Sequence, residues 1–212
     1  MALTFYYGAG SPYAWRVWLA LEHKGVPYEA RLLSFEAGDL RTPEFVAINP
    51  RRKVPAIVDE GFALYESAPI LEYLEERYGG PPLFPGDARQ RALARRIVAE
   101  VDHYYGEPME RLVRQVFYQA PESRDPGEIA AGAADLATEL DFWERSIAGD
   151  FLVGPLSAAD FTLYPMIGLT LRMEQRHPEL VVRAAIGPKV QAWMRRVEAL
   201  LYFGKTWPAH WK

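Results

Sequence analysis

The dipeptide Ser11-Pro12 stands where a first apolar run, LTFYY, and a short loop, Gly8-Ala9-Gly10, give way to a helical pattern. A serine oxygen there can accept from the unpaired N–H groups of the first turn, and proline suits the first helical position, so the pair reads as a helix cap. The same corner offers a second chemistry. At the end of a first strand, the N–H groups and positive dipole end of the following helix are where an α/β fold receives an anion. Val54-Pro55 opens a later apolar run. With a cis bond, the valine would turn its N–H and C=O outward and pair with an extended peptide as an added strand. Glu66-Ser67 precedes another helical pattern, with Ser67 as the expected N-cap. A helix N-terminus suits a carboxylate and Glu66 suits an ammonium group, the two charges of one amino-acid headgroup. Ser157-Ala158-Ala159-Asp160 has capping-box spacing ahead of an apolar helix, which points to folding rather than chemistry.

The elements that must position these residues are legible in the periodicity. LTFYY reads as a strand, the stretch from Pro12 to Lys24 as a helix stopped by Gly25, residues 28–33 as a second strand and 40–48 as a short helix. Residues 54–58 and 62–65 flank Asp59-Glu60-Gly61 as a hairpin, and a last helix covers 67–78. The order is βαβαββα, an α/β unit spanning residues 1–80. GGPPLFPGD, residues 79–87, has linker composition. Residues 88–212 then repeat apolar positions every three to four, with helices expected around 129–147, 158–173 and 188–200, so this part reads as all-α. Pro108 lies inside the first long helical pattern of that part and should kink or end it.

Composition narrows the function classes. Half of the 212 residues are apolar, a quarter are charged, and the net charge of −4 disfavours nucleic acid as a partner. No run approaches the roughly 20 apolar residues of a membrane span, the N-terminus lacks signal-peptide character, and a cytoplasmic location is expected. The absence of cysteine removes disulfides and every mechanism that uses the protein's own thiol. The four histidines show no metal-site spacing, so no metal is expected. Aromatic residues such as Tyr104, Tyr105, Phe117, Trp207 and Trp211 read as core.

The segments SPYAWRVWLALEHKGVPYE, NPRRKVPAIVDEGFALYESAPILEYLEERY and LVGPLSAADFTLYP occur in the order and at the spacing of the cytosolic glutathione transferases, and the chain resembles that family over nearly its whole length. The resemblance implies a thioredoxin-like domain followed by a helical domain, usually in a homodimer. It also implies glutathione as co-substrate with no further cofactor, and a small hydrophobic electrophile whose pocket the helical domain helps to build. Residue by residue, Ser11 matches the thiol-activating serine of the serine-type classes, with a context similar to the tau class and its bacterial relatives, and more distantly to the zeta class. Val54 and Pro55 match the backbone-pairing valine and cis-proline. Lys53 matches a base that meets the glycine carboxylate, Glu66 and Ser67 match the pair that holds the γ-glutamyl end, and Ser157 and Asp160 match the capping box. Where zeta-class isomerases carry Ser-Ser-Cys, this chain has Ser11-Pro12-Tyr13, and Tyr6 or Tyr7 is the alternative activator used by tyrosine-type classes. Detoxifying conjugation of glutathione is the activity this implies. A non-catalytic binding protein on the same fold and a glutathione-dependent peroxidase are the rivals.

Overall fold

Residues 3–211 are described by a computed structural model. Leu3–Tyr7 forms β1, with Leu3 and Phe5 buried on one face while the Tyr6 ring packs against Phe45 on the other. Helix α1, Pro12–Lys24, follows, and Gly25 ends it in the left-handed conformation that lets its N–H return to the last carbonyls. Strand β2, Tyr28–Leu32, pairs parallel with β1; α2 spans Pro43–Ile48, and β3, Ala56–Asp59, and β4, Phe62–Tyr65, close the hairpin before α3, Ser67–Arg77. The sheet order is β2-β1-β3-β4, with β3 antiparallel to both neighbours. This is the expected thioredoxin-like βαβαββα arrangement.

Two local differences have local causes. Val54 and Pro55 precede β3 rather than open it, because proline has no N–H to donate to a ladder, and pairing starts at Ala56. Asp59, buried at the end of β3, accepts from the hydroxyls of Tyr73 at 2.6 Å and Tyr78 at 2.7 Å and so ties the hairpin to α3. Burial alone would raise its pKa. The two phenols and the nearby Arg77 charge outweigh burial and hold the carboxyl below its ordinary range.

The chain's contacts divide it into two units, one holding residues up to Pro85 together with those from Leu201 onward, the other Gly86–Leu200. The stretch expected as a linker is fastened to the first unit: Glu75 accepts from the N–H groups of Leu83 and Phe84 and pairs at 2.9 Å with buried Lys24. A helical domain running to residue 212 therefore needs correction. Residues 201–211, including the short α9, Phe203–Thr206, pack along α1 instead. The reason is aromatic packing: Phe203 and Trp211, both buried, and the exposed Trp207 place their rings 6.0, 5.5 and 5.4 Å from that of Trp15, whose indole N–H donates to Thr206 at 2.9 Å.

The second unit is helical, as its periodicity implies. Helices α4, Ala88–Glu100, and α5, Gly106–Val113, join through a π-turn at Val101–Tyr105. Pro108 sits within α5 without ending it, because the wider turn just upstream accommodates the residue that lacks an N–H. Then come α6, Pro126–Ser146, α7, Ala158–Arg176, and α8, Pro188–Glu198. Glu144 of α6 receives the N–H groups of Lys189 and Val190, capping α8 from outside. Among the described residues, no helix is long and apolar enough to cross a membrane.

Candidate functional site

The sheet register brings three chain reversals to one end of the first unit. Tyr6 of β1 lies opposite Ala56 of β3, and Ala56 opposite Tyr65 of β4. The loop leading from β1 to Ser11, the Val54-Pro55 step before β3 and the Glu66-Ser67 step after β4 therefore share that end. There α1 and α3 both begin, so two helix N-termini stand where the sequence placed its candidate residues.

Ser11 is the N-cap of α1, with Pro12 at the first helical position. Its hydroxyl oxygen accepts from the Ala14 N–H at 3.3 Å, and its own N–H donates to the Gly8 carbonyl at 3.1 Å. Accepting uses an oxygen lone pair and leaves the hydroxyl hydrogen available to donate. Capping and donation to an anion are compatible at this residue. Tyr6 and Tyr7, the alternative donors, have their rings packed on opposite faces of the sheet. Tyr6 lies in the cluster of Phe45, Val54 and Ala56, while Tyr7 stacks 5.4 Å from Phe5 and sits 4.8 Å from Trp18. Burial raises the Tyr7 phenol above its ordinary pKa.

The Val54-Pro55 peptide bond is cis. Just before it, buried Asn49 fixes the basic loop from both sides: its amide donates to the Lys53 carbonyl at 2.7 Å and its carbonyl accepts from the Arg51 N–H at 2.9 Å. Lys53 is exposed, as are Arg51 and Arg52, and the last has a positive φ of 55°. Sequence reasoning missed Asn49. The available signal was Asn49-Pro50, a turn-initiating pair, and the cue that it is buried comes only from the fold.

Glu66, not Ser67, is the N-cap of α3; Ser67 is already the first helical residue. Glu66 has φ 71° and ψ 117°, a conformation that a non-glycine residue adopts at a cost of about 1–3 kcal/mol when its surroundings impose it. No side chain caps this helix. Its first N–H groups are thus left for another acceptor, with buried Ser67 and the exposed Glu66 carboxylate beside them.

Ser157 and Asp160 lie in the other unit. Asp160 accepts four hydrogen bonds, from the N–H groups of Ser157 and Leu152, the Ser157 hydroxyl and the Trp193 indole, at 2.8–3.1 Å. Full burial nevertheless pushes its pKa up to about 6, against the pull of those donors.

A family model for the glutathione S-transferase N-terminal domain matches residues 10–77, and one for the C-terminal domain matches residues 126–196. Glutathione S-transferase A of Pleuronectes platessa is 30% identical over 192 residues, 84% of this chain and 83% of that one. A maleylacetoacetate isomerase of Pseudomonas aeruginosa is 42% identical over 104 residues, 48% of each chain. Among solved structures, a glutathione transferase from Burkholderia graminis with two glutathione molecules bound per subunit superposes with a TM-score of 0.84 at 28% identity, covering 97% of this chain and 87% of that one.

Proposed function

This chain belongs to the glutathione S-transferase family, and from that premise we propose that it binds glutathione at the sheet end holding Ser11, Val54 and Glu66 and activates the thiol for addition to a small apolar electrophile. The observation that carries the reading is the pair of helix N-termini brought to that end, one capped by a serine and the other uncapped. The γ-glutamyl carboxylate would take the first N–H groups of α3 with Ser67, and its ammonium would face Glu66. Val54 would pair with the peptide backbone, next to Pro55, and Lys53 would meet the glycine carboxylate. No further cofactor enters this scheme. Assembly as a cytoplasmic homodimer belongs to the same reading, with exposed Phe62, Leu93 and Tyr104 as apolar surface to be covered. Sedimentation at twice 24.1 kDa checks it, and a 24.1 kDa monomer alone at micromolar concentration sinks it.

A free thiol with a pKa near 8.5 is only a few per cent ionised at neutral pH. Lowering that value by about two pH units requires about 2.7 kcal/mol of preferential interaction with the thiolate. The Ser11 hydroxyl supplies part as a donor, and the α1 dipole adds roughly 0.3–1 kcal/mol. The serine forms no covalent bond and abstracts no proton. The half-length similarity to a maleylacetoacetate isomerase favours a second reading, thiolate addition to a maleyl double bond; Pro12 and Tyr13 in the first turn speak against it.

Thiolate absorbance of bound glutathione, titrated in wild type, Ser11→Ala, Tyr6→Phe and Tyr7→Phe, tests the assignment. Ser11→Ala should raise the bound thiol pKa and slow conjugation at neutral pH, with partial recovery as pH rises. A titration that moves only in a tyrosine variant makes the enzyme tyrosine-type. Aryl halide and peroxide panels separate conjugation from peroxidase activity, and glutathione binding without turnover would leave the non-catalytic alternative.

A further inference from the structure

Residues 201–211 run back along α1 from its last turn to its first. Tyr202 shares a 2.9 Å hydrogen bond with His23 near the C-terminal end of the helix, and Lys205 pairs with Glu22 at 2.6 Å. Thr206 and the aromatic rings engage Trp15 one turn from the N-terminus. The strap finishes on the loop before Ser11. A methyl group on Gly10 would come within 3.1 Å of the Trp211 indole nitrogen and within 3.1 Å of the His210 ring, so tail and loop touch there. Gly10 has a φ of 82°, and both its backbone and its lack of a side chain suit that approach.

The Ser11 backbone is held by two bonds, its N–H donating to Gly8 at 3.1 Å and its carbonyl accepting from the Trp15 N–H at 2.9 Å, while its hydroxyl oxygen receives only one, at 3.3 Å. A further constraint on the corner is Trp211, a buried indole set edge-on against Trp15 and close against Gly10. We infer that Trp211 is a positioning residue for thiol activation: by filling the space between Trp15 and Gly10 it fixes the Gly10-Ser11 corner, and with it the direction of the Ser11 hydroxyl. The inference rests on the reading that Ser11 donates to the thiolate. A side chain one residue from the reacting atom need move little, since a misplacement near 1 Å costs up to about a hundredfold in rate.

The test compares wild type, Trp211→Ala, Trp211→Phe, Ser11→Ala and the Ser11→Ala/Trp211→Ala double variant by steady-state kinetics and thiolate absorbance. Trp211→Ala should lower kcat at neutral pH about tenfold and raise the bound thiol pKa, while KM for glutathione stays within about twofold because its charged ends bind elsewhere. Trp211→Phe, which refills most of the space, should recover most of the loss. The double variant should be no slower than Ser11→Ala alone, because Trp211 acts through Ser11. Unchanged kcat and titration in Trp211→Ala, or a second full loss in the Ser11→Ala background, overturns the inference. Should Trp211→Ala fail to fold, Trp211→Leu, which refills only part of the space, must show a loss of the same kind; normal kinetics in that variant overturn the inference equally. Absence of thiolate in wild type, a result that needs no variant, overturns the proposed function itself and this inference with it.

Discussion

Helices α1, α3 and α7 each begin with a serine within one residue of the first turn, yet their N-termini are finished in different ways. At α7, Ser157 and Asp160 are fully buried, and the carboxylate gathers four donors from its own unit. At α1 a single 3.3 Å bond reaches the Ser11 oxygen, and at α3 no side chain caps the helix. A terminus that satisfies its own N–H groups is closed to ligands and stabilises the fold. One that leaves them unpaired gives up that stability and keeps an anion site. The same residue type thus serves opposite ends, and the partners decide which.

The largest expected effect lies at the closed terminus. Asp160→Ala leaves three buried donors and the half-buried Leu152 N–H without an acceptor and should destabilise the protein by roughly 3 kcal/mol or more, read by denaturant unfolding. That cost should depend on pH. With its folded pKa near 6, above the ordinary value of 3.8, the Asp160 carboxyl prefers its neutral form in the folded state. Its contribution is fully present below the unfolded pKa and is lost as pH rises through 6, about 3 kcal/mol in all. Wild type minus variant stability should therefore shrink from pH 4 to pH 7; a flat difference breaks the closed-terminus account.

At the open termini the effects should fall on the ligand. Glu66→Ala should weaken glutathione binding by roughly 1–3 kcal/mol in calorimetry if a charge-assisted bond is lost, with little change in melting temperature. Equal affinity would remove the headgroup from α3. Smallest of all, Ser11→Ala should cost only about 0.5–1 kcal/mol of stability, the low end of capping effects, because its one capping bond is long. A loss as large as that of Asp160→Ala would erase the distinction between open and closed ends.

These contrasts were only partly legible in the sequence. Ser11-Pro12 and Asp160 three residues after Ser157 are local patterns, and local patterns survive folding: both helices start where they imply. Glu66-Ser67 misled by one position. Serine has the higher capping preference, and the surrounding β4 and α3 hold Glu66 at positive φ, a tertiary demand that no propensity carries. LYFGKTWPAHW reads as core without saying whose core, since its partner Trp15 lies almost two hundred residues away.

Asn49 gives the basic loop an unusual independence. Because one buried amide grips the backbone at Arg51 and Lys53, the loop's path does not rely on what its cationic side chains touch. Scaffold and charge are separable there, and the loop can trade lysine or arginine for neutral or acidic residues as freely as a socket exchanges fittings. Substitutions at residues 51–53 should therefore change the charge of this end and leave the sheet behind it in place.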